Sequence, residues 1–341
     1  MKFSAYLLWL LPVLAPWYAA AQDHIYSQFF NAPQYLNPSL TGQFEGDLRM
    51  NMIYRNQWSS LNGTLSYIHA GADLNIPNFG GGLGLQLNRS TEGTAFLVKN
   101  NIAASYAYSV GGDNFVLSFG VQAGFTNRQI NWNKLVFGDQ IDNRLGYIPG
   151  SISGAQLPDQ GSRFFFDPAA GTNLVYGNFM AGVAFHHINR PDESFSGAQA
   201  RLPVLLSVNA SYRLALSQGY TYGQDDGAYL TPSVICYRQA GVSSLSAGAQ
   251  IAYKSINAGL WYRTAGEGGP DAIVLSFMFA IFSGGKNGEK LRLGISHDAT
   301  TSKLNYTNTS GTSEGSVTYQ KYFPNSSSYN KFNGLRCYDF Y

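Results

Sequence analysis

The sequence predicts an all-β protein, a transmembrane antiparallel β-barrel of about fourteen strands. In several segments, such as NFVLSFGVQAGFTN at residues 114–127, large apolar side chains occupy every second position, and a period of two indicates a β-strand. Charged residues make up only 12% of the chain, whereas Gly, Tyr and Phe number 38, 23 and 22. This composition is typical of a barrel with a lipid-facing outer wall and a small-residue or polar lumen.

The first residues predict a secretory signal peptide. Lys2 precedes an apolar stretch from Ala5 to Tyr18, and the triplet ending at Ala21 offers a cleavage site. No Cys follows that site, so we expect no lipoprotein anchor. Residues 1–21 are therefore placed outside the fold, and we expect the mature chain to be exported.

Residues 22–44 precede the first strand and form an N-terminal segment of their own. The segment carries Pro33 and Pro38 together with the aromatic side chains of Phe29, Phe30 and Tyr35. So much apolar surface is expected to be covered by other protein. We predict that the segment either fills the lumen or contacts a periplasmic partner, and its three aromatic residues are candidate partner contacts.

Residues 45–323 are predicted to form the barrel. Alternating runs bounded by Gly, Pro, Asn, Asp and Ser occur near 45–56, 64–76, 80–91, 95–110, 114–128, 165–176, 178–189, 202–215, 228–239, 243–254, 256–263, 271–283, 290–299 and 314–323. Their number is even, as a single-chain bacterial barrel requires.

The fifth of these strands shows how the two faces are assigned. Its large apolar side chains, which we expect to face lipid, are Phe115, Leu117, Phe119 and Val121. Its small or polar side chains, which we expect to face the lumen, are Ser118, Gly120 and Gln122. The inward positions of the chain as a whole are chiefly Gly, Ala, Ser and Gln, and such a lining suits either an open pore or a filled lumen.

Extracellular loops are expected to be long and periplasmic turns short, and the predicted connections follow this pattern except for residues 216–227, which are longer than expected for the periplasmic side. The longest, residues 129–164, could lie over the lumen or bind a partner, and it contributes Trp132 and Tyr147 as candidate contacts. The last segment, residues 324–341, is predicted to be a periplasmic tail with Tyr338 and Phe340 as further candidates.

The sequence offers no recognisable catalytic or metal-binding set, so we predict no enzyme activity, metal or cofactor. His186 and His187 are adjacent in a predicted strand, where neighbouring side chains point to opposite faces and could not share one metal. The two cysteines, Cys236 and Cys337, are expected to remain unbonded to each other. A net charge of +2 argues against nucleic acid as a partner.

Several motifs, in the same order along the chain, resemble the PorP/SprF family of Bacteroidetes outer-membrane proteins, which are associated with type IX secretion and gliding. They include IYSQFFNAPQYLNPSLTG, YRNQW, FDPAAGTNLVY, LPVLLSVNASYRL and LRLGISHDATTSKL. The chain departs from the family pattern at Thr312-Ser313-Glu314, where members often have Ser-His-Glu, and at His297-Asp298, where members have Tyr-Asp.

The resemblance implies a non-enzymatic barrel in the outer membrane of a Gram-negative, Bacteroidetes-like bacterium. Its partners would be outer-membrane lipid and either periplasmic proteins of the secretion machinery or a secreted surface protein such as an adhesin. Two alternatives remain open from the residues themselves. One is an outer-membrane channel for small or hydrophobic solutes, and the other is a soluble secreted β-sandwich.

Overall fold

A computed structural model of the protein describes residues 23–61, 63–76, 80–93, 97–132, 135–155, 161–217, 227–266, 268–283 and 289–323. These residues form a closed antiparallel β-barrel with a segment of chain inside it. No helix in this part of the chain is long and apolar enough to cross a membrane.

Fourteen strands make the wall of the barrel. They are β1 (Leu48–Gln57), β2 (Thr64–Ile76), β3 (Gly81–Gly93), β4 (Leu97–Gly111), β5 (Phe115–Gln129), β6 (Ser162–Tyr176), β7 (Phe179–His186), β8 (Leu205–Tyr212), β9 (Ala228–Gln239), β10 (Val242–Tyr253), β11 (Ile256–Ala265), β12 (Gly269–Ser283), β13 (Lys290–Thr300) and β14 (Thr312–Lys321). Leu214–Ala215 continues β8 along β9. Each strand pairs with the next, and β14 pairs with β1 to close the ring. The predicted fourteen-stranded barrel is confirmed.

The two ends of the barrel differ in their connections. At one end, here called the turn end, strands are joined by short links such as residues 112–114 and 254–255. At the other, the loop end, residues 130–161 include a 3-10 helix (Gly138–Gln140) and a two-residue hairpin (Ile141–Asp142 with Gly146–Tyr147). A short α-helix, Tyr306–Thr309, also lies there. The link between Ala215 and Ala228 is also at the turn end, and its residues 218–226 lie outside the described part of the chain.

The outer wall is apolar and the alternation is regular. In β5, Phe119 is 50% exposed, and Phe115 and Val121 are also exposed, whereas Leu117 is half-buried. The intervening Ser118, Gly120 and Gln122 are buried. At the turn end, exposed tyrosines line the wall from β4 to β10: Tyr108, Tyr176, Tyr212 and Tyr253. Aromatic girdles of this kind mark the membrane interface of barrels, and contact of these strands with lipid stays a prediction.

Residues 23–46, here called the luminal segment, lie inside the barrel. The segment begins at the loop end, where Asp23 contacts Lys99 at the start of β4, and it reaches the turn end at Gly42, beside Asp73 of β2. Along this path it forms a 3-10 helix (Phe29–Asn31), one turn of α-helix (Pro33–Leu36) and a second 3-10 helix (Pro38–Leu40). Of the two placements that the sequence left open, the segment therefore occupies the lumen.

The luminal segment packs against an apolar strip of the inner wall. Phe29 is only 4% exposed and packs edge-on against Trp261 with ring centroids 6.2 Å apart. The inward side chains that complete this cluster come from β6 to β12: Val175, Met180, Leu205, Ile235, Tyr237 and Val274. The expectation that inward positions are chiefly Gly, Ala, Ser and Gln is thus wrong for this side of the lumen, because the segment itself supplies an apolar surface to cover.

Glycine in the wall makes room for the backbone of the luminal segment. A Cβ on Gly120 of β5 would lie 2.2 Å from the amide nitrogen of Ser39, and one on Gly82 of β3 would lie 2.4 Å from the Cα of Gly42. Any side chain at these positions would displace the segment. Close contact inside the lumen therefore accounts for part of the high glycine content.

Substitution on the two faces of β5 should destabilise the barrel for different reasons. Because Phe119 is predicted to face lipid, Phe119→Arg should place a charge in hydrocarbon and lower the free energy of unfolding by about 2–4 kcal/mol, as measured by urea titration in lipid vesicles. Gly120→Arg would destabilise a barrel with an empty lumen less than Phe119→Arg does. In this barrel it should prevent folding, because the new side chain would overlap with Pro38 and Ser39 of the luminal segment.

Deletion of residues 23–40 separates the two causes. The deletion should restore folding of Gly120→Arg but not of Phe119→Arg, and Phe119→Leu serves as the apolar control. Equal rescue of both arginine variants would show that the outward and inward faces of β5 are wrongly assigned.

Candidate functional site at the loop end of the lumen

Buried charges gather in the lumen near the loop end. The sequence analysis did not anticipate them, because they come one or two at a time from strands far apart in the chain. They form two groups that each hold part of the luminal segment. We call the group beside the β1–β14 seam the seam cluster and the group beside Asp23 the mouth cluster.

The seam cluster consists of Arg55, Arg263, Asp271, Asp298 and Glu314. The Arg55 guanidinium pairs with the Glu314 carboxylate and, at 3.3 Å, with Asp298. Arg263 lies 2.9 Å from the same Asp298 oxygen and also pairs with Asp271. Buried charges are tolerated only when they are paired and hydrogen-bonded, and the two arginines alternate here with three carboxylates.

The seam cluster binds the luminal segment directly. Glu314 accepts hydrogen bonds from the backbone N–H groups of Ser27 (2.8 Å) and Gln28 (2.9 Å). The Ser27 hydroxyl donates to Asp298 Oδ2 at 2.6 Å. The 3-10 helix that begins at Phe29 therefore has the N–H groups just before it satisfied by wall carboxylates.

The mouth cluster holds the first residue of the described chain. The Asp23 carboxylate lies 3.0 Å from Lys99 Nζ and 2.7 Å from His187 Nε2, and the Asp23 N–H donates to Gln239 Oε1 at 2.7 Å. Glu193, in the loop after β7, pairs with Lys99 at 3.4 Å. Asp23 thereby ties β4, β7 and β9 together across the mouth of the lumen.

His187 corrects one expectation from the sequence. Strand β7 ends at His186, and His187 has a positive φ of 56°, so its ring turns back into the lumen rather than to the outer face. Both histidines are buried, and their ring centroids lie 6.4 Å apart. His187 bridges Asp23 and Asp167, each at 2.7 Å. Among the described residues no group of three or more His, Cys, Asp or Glu side chains is placed to hold a metal ion.

A third ionic contact fixes the segment near the turn end. Arg49 of β1 and Asp73 of β2 form a buried pair with an N–O distance of 2.7 Å. Asp73 also accepts the Gly42 N–H at 2.7 Å, and Arg49 donates to the Leu40 carbonyl at 3.1 Å. The segment is consequently bound at both ends and along its length.

Two cavities flank the tip of the luminal segment at the loop end. One lies on the β3–β7 side and is lined by polar side chains that include Asn88, Asn101 and Arg128. The other lies on the seam side and is lined by side chains that include Arg55, Tyr67 and Thr312. Asp23 and His24 border both cavities, so the tip of the segment separates them.

The longest loop projects apolar side chains from the loop end. Ile152 is 95% exposed and Leu145 is 82% exposed, and Tyr147 on the small hairpin is half exposed. Trp132 is half-buried and packs edge-on against Phe195 with ring centroids 6.3 Å apart. The sequence analysis named the aromatic residues of this loop but missed its exposed aliphatic ones.

The other candidate contacts are distributed as follows. Phe29, Phe30 and Tyr35 lie inside the lumen, where Tyr35 donates to the His24 carbonyl at 2.7 Å, so an outside partner does not reach them while the segment stays in place. Tyr338 and Phe340 lie outside the described residues, as does Cys337. Cys236, in β9, is a half-buried free thiol.

Comparison with known proteins gives a family and a set of distant folds. The family model described as type IX secretion system membrane protein PorP/SprF matches residues 18–319. No curated protein matches the sequence. The fold is similar to the outer membrane protein Omp33 of Acinetobacter baumannii, with 6% identity, 82% of this chain and 100% of that chain covered, and a TM-score of 0.42.

Two further solved structures are similar at comparably low sequence identity. A TodX deltaS2S3 mutant monoaromatic hydrocarbon channel has 10% identity over 85% of this chain and 92% of that chain, with a TM-score of 0.43. CdiB from Acinetobacter baumannii has 9% identity over 80% of this chain and 60% of that chain, with a TM-score of 0.39.

Loss of the Glu314 charge should release the luminal segment. Glu314→Gln removes the carboxylate charge that pairs with Arg55, which then keeps only Asp298, at 3.3 Å, as a carboxylate partner among the described residues. It also replaces one of the two oxygens that accept the Ser27 and Gln28 N–H groups by an amide donor. We therefore expect a loss of about 3–5 kcal/mol in the free energy of unfolding. Limited proteolysis should then cut within residues 23–31 of the variant. Glu45→Gln, which alters an exposed carboxylate, is the control and should change neither property. Unchanged stability and protection in Glu314→Gln would contradict the assigned role.

The mouth cluster should loosen at high pH. Burial alone would lower the pKa of His187, but the carboxylates of Asp23 and Asp167 outweigh it and raise the pKa to about 9. The pKa is raised on folding from 6.5, so this stabilisation is complete below pH 6.5 and is lost as the pH rises through about 9. Lys99, Glu193 and His186 also face this site.

The rate of hydrogen exchange of the Asp23–Gln28 amides should therefore increase between pH 8 and pH 10, after correction for its intrinsic pH dependence. His187, with a pKa of about 9, loses its charge in this interval. The His187→Gln variant should exchange faster already at neutral pH and lack the step. A step of the same size in that variant would assign the titration to another group.

Proposed function

The chain belongs to the PorP/SprF family of type IX secretion system membrane proteins, and on this basis we propose that it is a non-enzymatic outer-membrane barrel that binds protein partners. It would act either as a scaffold for secretion components or as the anchor of a secreted surface protein, such as an adhesin used in gliding. The observation that carries the proposal is the projecting loop-end surface around Leu145 and Ile152.

That surface is suited to protein contact. Ile152, Leu145, Ile148 and Tyr147 are exposed on one loop beyond the strands, together with Ile141 and Val136. Apolar side chains grouped on a surface outside the hydrocarbon region favour a protein partner, since burial of each stabilises a complex. The loop also folds on itself, because Asp139 accepts hydrogen bonds from Ser153 and Gly154. It is therefore a preformed surface, which lowers the entropy lost on binding.

The filled lumen supports binding over free conduction. The luminal segment is held by the seam cluster, the mouth cluster and the Arg49–Asp73 pair, so a solute path along the barrel axis requires that several buried ionic contacts break. We take the turn end to face the periplasm, because most of its links are short and the longest connection, residues 130–161, lies at the other end. The predicted tail, with Tyr338 and Phe340, would meet secretion-machinery proteins there.

A channel for small or hydrophobic solutes is the second candidate. It is favoured by the two cavities that flank Asp23 and His24 at the loop end. Conduction in this case would follow displacement of the luminal segment, and it would use the apolar inner wall around Trp261.

Replacement of the exposed aliphatic side chains should weaken partner binding. The double variant Leu145→Ser with Ile152→Ser should lower the amount of partner retained in mild-detergent purification by about tenfold, as expected for two interface contacts of roughly 1 kcal/mol or slightly less each. Quantitative mass spectrometry of wild-type and variant samples is the measurement. Leu304→Ser changes an exposed apolar residue in a different loop-end connection and should retain the partner.

The same purification distinguishes scaffold from channel. All variants should keep heat-modifiable gel mobility, which reports an intact barrel. Deletion of residues 23–40 should raise conductance in planar bilayers if the segment blocks a pore. If loop variants and removal of residues 333–341 leave partner retention and surface display unchanged while the 23–40 deletion alters only solute flux, the channel function replaces the scaffold.

A further inference from the structure

A polar row lies on the outer face of the barrel near the loop end. In register across three strands, Arg89 of β3 is opposite Asn100 of β4, which is opposite Asn127 of β5. Two residues closer to the turn end, the same strands present an apolar row of Leu87, Ile102 and Phe125. Toward the loop end, the outward side chains thus change from apolar to amide and guanidinium groups over two residues of each strand.

Arg89 is an exposed cation in this row. Its Nη1 donates to Asn100 Oδ1 at 3.0 Å, which orients the guanidinium along the polar row. A guanidinium has several further N–H donors. In the described loop-end halves of the strands, alternation places two charged side chains on the outer face, Arg89 and Arg238, and neither has a carboxylate as its cross-strand neighbour.

An apolar groove begins directly beneath Arg89. It is lined by Ile68, Ala70, Leu87, Ile102, Phe125 and Phe164, together with the polar residues Asn88, Arg89, Asn100, Asn101 and Asn127. Of these, Asn127 is buried and donates to Ser162, whereas Arg89 is exposed. Ala70 of β2, opposite Leu87 of β3 in register, is the smallest of these apolar side chains. Such a groove, on a wall that faces hydrocarbon, accommodates an extended acyl chain.

We propose that this site binds a phosphate-bearing membrane lipid, with the phosphate on Arg89 and one acyl chain in the groove. Charge complementarity selects this occupant, because a guanidinium at the boundary of the hydrocarbon region pairs with phosphate through directed N–H donors. The apolar row below matches the chain that is covalently attached to that headgroup. The site is independent of partner binding at the projecting loop.

Arg238 provides a matched comparison on the same wall. It also points outward near the loop end, but its cross-strand neighbours are Leu206 and Ser243, neither of which has an amide group to orient it. It does not border the groove described above. Both arginines are therefore outward-facing cations near the loop end. Only Arg89 has an amide neighbour that orients it and an apolar groove beside it.

Native mass spectrometry of the full-length protein in phosphatidylcholine nanodiscs containing phosphatidylglycerol tests the site. Arg89→Gln should reduce retained phosphatidylglycerol about tenfold, as expected from loss of a charge-assisted contact. Ala70→Phe, which fills the groove, should reduce it while Arg89 is still present. Arg238→Gln should leave it unchanged, and Arg89→Lys should preserve part of it.

Other results would overturn the proposal. Equal retention in Arg89→Gln and Arg238→Gln would show that the cation is not specific. If diacylglycerol, which lacks phosphate, were retained as well as phosphatidylglycerol, binding would depend on the apolar groove alone and not on the phosphate. A dimer that Ala70→Phe disrupts would assign the groove to a second copy of the chain. Heat-modifiable gel mobility shows whether each variant folds. If Ala70→Phe does not fold, the comparison of Arg89→Gln with Arg238→Gln still tests the proposal.

Discussion

The hydrogen bonds between buried wall carboxylates and the backbone of the luminal segment are the interaction on which the rest of the structure depends. Glu314 accepts two N–H groups of the segment while it is paired with Arg55. Charges buried in a lumen are stable only when partners satisfy them. The wall charges and the segment therefore stabilise each other, since the same carboxylate is satisfied by both.

This dependence sets different rules for the two faces of the wall. On the outer face the side chains are exposed and apolar, as Phe119 and Val121 illustrate, and the predicted contact with lipid would restrict polarity there but not shape. The inner face follows a shape rule, because Gly120 and Gly82 lie where the segment backbone approaches most closely. One strand can satisfy both rules because its side chains alternate.

The strands were predictable from the sequence because alternation and turn residues are local signals. The luminal charges were not, since Arg55 and Glu314 are 259 positions apart and each resembles an isolated polar residue in an alternating strand. The orientation of His187 was also inaccessible, because it depends on a positive φ just after β7. The aromatic side chains within 22–44 predicted that this segment is covered by other protein. Whether the lumen or a partner covers it could be decided only from the closed barrel, whose inner wall contacts the segment.

The seam where β1 meets β14 has a consequence for assembly. Arg55 and Glu314 are directly opposite each other in the register that closes the ring, and the same Glu314 holds Gln28 from 286 positions away. Closing the sheet and capturing the segment thus use the same residues, so each step makes the other more favourable. Bringing such distant parts of the chain together has a large entropic cost. Because one acid serves both steps, the two distant ends of the chain are brought to the same place by a single residue, and loss of that residue should weaken barrel closure and segment binding together.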